Sequence, residues 1–315
     1  WGKKGKQIPQ NPSISFTLSE CCTETFVEFE KADRFGFSFF FEGKGNPAFG
    51  AKIEKFLMDN QAFFPFINQL NLKVESRNSF PHSSGIASSA SSMSAFVMCL
   101  MEIESLLTGP STGSGTLTKA SYFSRLASGS AARSVFPAMA LWGKTEAYEG
   151  SSDEYAVSLA NDIHPVFKTY HDSILIVSGE TKSVSSRAGH ALMESNPYAS
   201  ARYAQANENI KNLLTALKSG DLDTFINITE SEALQLHALM MCSNPSFILM
   251  KPNTLSLINE IRAFRNETKI PLCFTLDAGP NVHLLYPESE AEKVDYFIKN
   301  NLAAYCVDNK WIADH

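Results

Sequence analysis

The stretch Phe80–Leu107, FPHSSGIASSASSMSAFVMCLMEIESLL, limits what this chain can become more than any other. A loop of serine and glycine, punctuated by Pro81 and Gly85, runs straight into a long apolar-periodic segment. Met93, Phe96, Val97, Leu100 and Leu107 fall on one helical face. The serines stand before and inside the first turn, where free N–H groups and the positive end of the helix dipole collect. Such an end binds anions, above all phosphate. The loop has no G-K-[ST] ending, so it is not a Walker A loop. Alone, the stretch reads equally well as a Ser-capped core helix.

The surrounding pattern supplies a sheet for that helix. Ser13–Leu18, Thr25–Phe29, Phe35–Phe41 and Leu70–Glu75 read as strands, with Phe35–Phe41 closing a hairpin meander. Gly43–Gly50 reads as a loop and Ala51–Asn60 as a short helix. Gly109–Thr118 is low in complexity, and Ala120–Leu126 is helical. In the second half, Ser173–Val177 reads as a buried strand. Tyr203–Leu217, ended by Gly220, then Leu222–Met240 and Asn253–Arg262 read as helices. Two further strands flank the tight turn Asp277–Asn281. Strands and helices in blocks predict an α+β fold, not the βαβ alternation of a Rossmann sheet. The chain has 315 residues, enough for two domains, 1–165 and 166–315.

The net charge of −6 argues against nucleic acid as a partner and against a basic membrane-binding surface. No apolar run looks long enough to span a bilayer. The six cysteines are scattered without a C-x-x-C pair. Most look like small buried hydrophobes, which fits a reduced, cytoplasmic compartment. Asn227-Ile228-Thr229 and Asn266-Glu267-Thr268 spell glycosylation sequons and are read as chance.

With the global charge negative, an anionic ligand needs local positive groups. Trp1–Lys6 (WGKKGK) is a basic cluster, although a solvated end has the same composition. Ser128, Gly129 and Ser130 precede Arg133, whose fork suits carboxylate or phosphate; a helix cap beside a surface arginine has the same spelling. Ser178–His190 carries Lys182, Ser185, Ser186 and Arg187, either a plain loop or a third set of anion contacts. His237 lies on an apolar helix face, where a packed core histidine is the commoner outcome. Asp277 ends an apolar strand. Unless paired, it is expected to be partly desolvated with a raised pKa, though an Asx-type cap reads the same way.

These segments together resemble the mevalonate diphosphate decarboxylases of the GHMP small-molecule kinase superfamily. Trp1-Gly2-Lys3 is similar to the end of the family's K-Y-W-G-K motif, and Asn11–Leu18 (NPSISFTL) to its N-S-S-I-S-x-T-L strand. Pro81–Ala90 is similar to the phosphate loop P-T-A-A-G-L-A-S-S-A, with His82, Ser83 and Ser84 in place of Thr-Ala-Ala. Ser128–Phe136 is similar to S-G-S-A-x-R-S-L-F, and DAGPN at 277–281 is identical to the catalytic turn. His237 falls in a context similar to F-H-A. Pro137-Ala138 replace a Gly-Gly, and Ser92 replaces a glycine.

The resemblance implies a two-domain GHMP-kinase-like fold with the active site between domains. It also implies ATP-dependent decarboxylation of mevalonate 5-diphosphate to isopentenyl diphosphate. Asp277 and Arg133 would be catalytic. Trp1, Lys3, Ser128, Gly129, Ser130, Arg133 and Ser185 would bind substrate. Pro81, Ser84, Gly85, Ile86, Ala87, Ser88 and Ser89, within loop 81–92, would bind the nucleotide. ATP and Mg²⁺ are the expected cofactors, with no protein ligand for the metal assigned. A homodimer is compatible with the sequence, which leaves the oligomeric state open. A phosphomevalonate decarboxylase, a mevalonate 3-kinase or a non-catalytic binder on the same scaffold stays in play.

Overall fold

The computed structural model describes residues 2–80, 88–109, 115–180 and 186–314, with 186 and 187 as backbone only. Helix and strand are mixed throughout. A four-stranded sheet takes the order Thr23–Lys31, Leu70–Asn78, Gly36–Phe41, Lys44–Gly45. The expected meander is therefore corrected: Leu70–Asn78 lies between the two earlier strands, antiparallel to the first and parallel to the second. The parallel pair arises because the Pro47–Asp59 helix carries the chain back across the sheet, as a parallel connection requires. The fold thus holds one βαβ crossover within an otherwise antiparallel set.

That helix begins earlier than its periodicity suggests. Asn46 accepts a hydrogen bond from the Phe49 N–H at 3.1 Å, and Pro47 occupies the first turn, so a cap and a preset φ start the helix inside the expected loop. Leu70–Asn78 alternates buried and exposed, turning Leu70, Leu72 and Val74 toward the Ser88–Thr108 helix.

In the Ser88–Thr108 helix Met93, Phe96, Val97 and Leu100 are buried as expected. Leu107 is 50% exposed, because the last turn outruns the sheet. This helix also has the length and apolarity to cross a membrane, which the raw sequence reading missed. Nine of its side chains are buried in the core. Gly115–Ser128 forms the next helix, longer at both ends than expected.

A second sheet of three strands pairs Ser13–Phe16 with Met139–Trp142 and Ala156–Ser158. The third sheet, in the order Cys273–Thr275, Val282–Pro287, Tyr170–Leu175, Trp311–Asp314, is antiparallel throughout. One face of it packs on the Pro252–Thr268 and Ala291–Phe297 helices through Val282, Leu284, Leu257 and Val294. The other face meets the first half: Met139 and Leu141 join Tyr170, Cys273 and Leu285 in one cluster, and Cys21 and Phe80 join Ile174 and Ile176 in another. Helices Ala199–Ser219 and Leu222–Met241 close this seam, with Gly220 at φ 81° in the left-handed cap between them. Three cysteines (Cys21, Cys273, Cys306) are buried, whereas Cys22 and Cys242 are exposed, so burial of the cysteines holds for half of them.

Packing makes a sharp contrast within one helix. Leu100→Ala opens a cavity under the sheet and is expected to cost about 2–5 kcal/mol. Leu107→Ala, two turns further along the same face and exposed, is expected to stay within about 0.5 kcal/mol of the parent. Urea denaturation midpoints of the two variants measure the difference.

Candidate active site

Two elements of the first half bring positive charge together. The helix ending at Ser128 passes into a tight turn, Gly129–Ala132, that delivers Arg133. Ala131 and Ala132 are fully buried, and the Ser121 hydroxyl donates to the Ala132 carbonyl at 2.7 Å, so the turn cannot slide. Gly129 has φ +35°, and a Cβ there would stand 2.2 Å from the Lys3 ammonium. Only glycine lets the two approach.

Lys3 sits on a short hairpin, Lys3–Lys4 against Ile8–Pro9. Buried Arg125 clamps this hairpin by donating to the Lys6 carbonyl through Nη1 and to the Glu154 carbonyl through Nε. The Lys3 ammonium lies 5.9 Å from the Trp142 ring centre and the Arg133 guanidinium 6.0 Å from the same ring.

Arg133 donates from Nη1 to the Ser13 hydroxyl, while its Nε is buried with no partner among the described residues. Among those residues, neither Arg133 nor Lys3 makes an ion pair with a carboxylate. Burial lowers Lys3 to about 8, with repulsion from Arg133 adding to it. Burial also lowers Arg133 to about 10, with the charge of Asp277 opposing the fall. Two desolvated cations without a carboxylate partner among the described residues form a site prepared for an anion.

From the second half, the Ser186–Leu192 helix reaches the same hairpin. The His190 Nδ1 accepts the Gly2 N–H at 3.1 Å. Burial, then the charge of Lys3, push His190 down to about 3, so its ring is neutral. The Asp277–Asn281 turn is held from four sides. His237 lies 3.0 Å from the Asp277 carbonyl, and a carbonyl can only accept, so the imidazole Nε2 carries the proton. The Gly279 N–H donates to that carbonyl at 2.7 Å and the Thr254 hydroxyl to the Pro280 carbonyl at 2.6 Å. The Ser178 N–H donates to Asn281 Oδ1 at 3.0 Å.

Asp277 itself is exposed, which corrects the expectation of a desolvated carboxylate. Ala278 and Gly279 turn inward at the end of the strand, leaving the side chain of residue 277 in the open. Its charge reaches Arg133, His237 and His283.

Of the nucleotide-site residues, Ser88 and Ser89 open the Ser88–Thr108 helix, Ser88 half-buried and Ser89 exposed. Deeper in, the Ser92 hydroxyl donates to the Ser88 carbonyl and that of Ser94 to the Ser91 carbonyl. Those two serines serve their own helix. Pro81, Ser84, Gly85, Ile86 and Ala87 lie outside the described residues, as do Trp1, Lys182 and Ser185. Ser128 and Ser130 are half-buried on either side of Gly129.

The structure thus gathers Lys3, Gly129 and Arg133 directly and brings Asp277 within electrostatic reach. No described contact joins Ser88 or Ser89 to that group. Ser13, Trp142 and His190 belong to it and were not singled out from the sequence. Ser13 and Trp142 are cross-strand partners in the second sheet, a pairing that strand pattern alone does not reveal.

Among the described residues, no three His, Cys, Asp or Glu side chains converge on a metal-sized space. These donors do not build an all-protein cage. That suits Mg²⁺, which keeps waters and substrate phosphates as ligands.

Residues 1–156 match the diphosphomevalonate decarboxylase-like N-terminal domain, and residues 173–312 match the mevalonate 5-diphosphate decarboxylase C-terminal domain. A diphosphomevalonate decarboxylase of Ganoderma lucidum is 29% identical, over 93% of this chain and 76% of that protein. A phosphomevalonate decarboxylase of Haloferax volcanii is 27% identical, over 92% and 84%. Among solved structures, mevalonate diphosphate decarboxylase from Staphylococcus aureus superposes with a TM-score of 0.83 at 26% identity, covering 100% of this chain and 90% of that one. A structure of MDDEF in complex with MVAPP, AMPPCP and magnesium has a TM-score of 0.81 at 26% identity, covering 100% and 91%. With both halves matched and the whole chain superposed, this protein belongs to the diphosphomevalonate decarboxylase family.

Proposed function

We propose that this protein is an ATP-dependent diphosphomevalonate decarboxylase, converting mevalonate 5-diphosphate and ATP into isopentenyl diphosphate, ADP, phosphate and CO₂. The observation that carries the proposal is the pair of desolvated cations, Arg133 and Lys3, facing a turn that presents the single carboxylate of Asp277. A substrate with a carboxylate, a tertiary hydroxyl and a diphosphate has one group for each feature. Relatives named for this activity, and a neighbour bound to MVAPP, AMPPCP and magnesium, support the same substrate and cofactors.

In this reading Asp277 orients the 3-hydroxyl and takes its proton as the oxygen attacks the γ-phosphoryl group of ATP, releasing ADP. The carbon–oxygen bond to the new phosphate then breaks. The carboxylate carbon leaves as CO₂, and its bonding pair becomes the new double bond. Arg133 holds the carboxylate beside the reacting carbon, its Nε and remaining Nη hydrogens providing the donors. Lys3, with Ser128, Gly129, Ser130 and Ser185, takes the diphosphate. The loop at Pro81, Ser84, Gly85, Ile86 and Ala87, with Ser88 and Ser89, takes the ATP phosphates at the helix end. Mg²⁺ arriving with the nucleotide would supply charge neutralisation of its phosphates.

We place the domain division near residue 165, and take the protein as cytoplasmic, without nucleic-acid or membrane partners; a homodimer fits this reading. The net charge of −6 supports the partner assignment. The Haloferax relative favours one alternative, a phosphomevalonate decarboxylase, since its identity is close to that of the diphosphate enzymes. Turnover of mevalonate 5-diphosphate compared with its monophosphate separates the two.

A coupled assay reads ADP and CO₂ together. Asp277→Asn is expected to abolish both while ATP binding persists. Arg133→Gln is expected to lower turnover at least about a hundredfold, the scale of one positioned charge at a transition state. Near-normal turnover in Asp277→Ala would remove Asp277 as the base.

Lys3 also sets a pH window. Its ammonium is charged below about 8 and neutral above, so kcat/KM for the diphosphate is expected to fall as pH rises through about 8. Lys3→Met should be weaker throughout and should lack that alkaline limb.

A further inference from the structure

The hairpin that carries Lys3 is too small to hold itself. Its strands, Lys3–Lys4 and Ile8–Pro9, have two residues each, and an isolated two-stranded hairpin is marginal even at full length. Arg125 fixes its turn through the Lys6 carbonyl. The Gly2 end is fixed from the second half. Gly2 is buried, so both of its backbone groups need partners. Its carbonyl accepts the Gln10 N–H at 3.1 Å, within the hairpin. Its N–H leaves the hairpin and donates to His190 Nδ1 at 3.1 Å, across 188 positions of sequence. Tyr203, from the Ala199–Ser219 helix, covers the same residue: a Cβ on Gly2 would stand 1.9 Å from the Tyr203 hydroxyl oxygen. Gly2 also has φ +97°, so both the space and the backbone conformation require glycine.

We propose that His190 is a positioning residue for the diphosphate site: the lone pair on its Nδ1 anchors Gly2 and so sets where the Lys3 ammonium stands. The proposal rests on the functional reading above and deepens it, adding a residue that acts on diphosphate binding through Lys3. A backbone N–H can only donate, so Nδ1 is the unprotonated nitrogen and serves as the acceptor. Lys3 is the next residue after Gly2. Its ammonium is confined at the far end, since a Cβ on Gly129 would stand 2.2 Å from it. One planar peptide unit joins the anchored N–H residue to the cation-bearing one, so a shift at Gly2 is passed directly to the Lys3 Cα.

Removing the acceptor strands a buried N–H, a loss larger than the net worth of the bond itself. A hairpin this short relieves it by shifting toward water, and the Lys3 ammonium moves with it. The effect falls on binding, because a hydrated, mobile lysine must give up its freedom again when the diphosphate arrives. The helix that holds His190, Ser186–Leu192, follows Ser185 directly in the chain, and Ser185 is the residue proposed above to take the diphosphate from the second half. His190 therefore ties together the two stretches of chain that supply diphosphate contacts. Gly2 and His190 come from different halves, so the anchor also fixes the hairpin relative to the second half.

Two substitutions keep the side-chain skeleton and differ at one atom. His190→Asn puts an oxygen acceptor where Nδ1 stands, and His190→Leu puts a methyl group there. Steady-state kinetics give KM and kcat, and calorimetry with ADP present gives the Kd of pyrophosphate. His190→Leu is expected to raise KM for mevalonate 5-diphosphate and the pyrophosphate Kd about tenfold, the scale of one stranded N–H, while kcat at saturation stays within about twofold. His190→Asn is expected to bring both constants back to within about threefold of wild type, since the acceptor is restored. In a Lys3→Met background, His190→Leu is expected to change neither constant further, because it acts through Lys3. Additive losses in that double variant, or an asparagine variant as weak as the leucine one, overturn the proposal. If His190→Leu does not fold, the asparagine variant decides: an increase of about tenfold in its KM overturns the proposal, and a KM near wild type upholds it. Pyrophosphate affinity that falls in His190→Leu, with no ADP or CO₂ formed by wild type, overturns the functional reading and leaves His190 in its role.

Discussion

The site depends on a repulsion. Arg133 and Lys3 are desolvated near one indole ring, and among the described residues neither pairs with a carboxylate. Burial lowers the pKa of Lys3, and the charge of Arg133 lowers it further. In a protein without a ligand such an arrangement costs folding energy, and only an anion arriving between the cations recovers it. Much of the first half is explained by this one constraint. The alanines at 131 and 132 lock the turn, Gly129 opens the space for the ammonium, and Arg125 fixes the hairpin by binding backbone carbonyls. Carbonyls satisfy Arg125 without placing a carboxylate that could compete for Lys3.

Asp277 answers the same constraint from the other half. Four hydrogen bonds fix its turn, three of them to its backbone carbonyls, leaving the side chain exposed and, among the described residues, in no ion pair. A carboxylate locked into a salt bridge with Arg133 would neutralise the cation and block the substrate carboxylate. Keeping the two groups within electrostatic reach but out of contact is compatible with the roles proposed for them, Arg133 binding the carboxylate and Asp277 taking a proton. His237, which by pattern alone reads as a core residue, is buried and also holds the Asp277 carbonyl, so packing and positioning coincide in one side chain.

Much of this was legible in the sequence. Local motifs are short enough for spacing to reveal them, and the Ser128–Arg133 and Asp277–Asn281 stretches each form a single turn whose chemistry is written in consecutive residues. The amphipathic helices were legible too, because burial follows a fixed period. What stayed hidden depends on pairing between distant strands. The insertion of Leu70–Asn78 between two earlier strands, the meeting of Ser13 with Trp142 and the link between Asp172 and His283 join residues 35 to 129 positions apart, where no local pattern operates. Leu107 failed for a different reason: periodicity gives the face of a helix but not where the sheet beneath it stops.

The seam between halves gives these separate devices a common frame. Met139 and Leu141 share one apolar cluster with Tyr170 and Leu285, so the strand leading away from Arg133 packs directly on the sheet that carries the Asp277 turn. Apolar contacts of this kind have little directional preference, but close packing resists sliding by even a fraction of a side chain. The separation of cation and carboxylate is therefore set by the filling of the seam and not by attraction between the charges. Close packing of this kind supplies a rigid frame, which is the condition under which electrostatic preorganisation lowers a barrier.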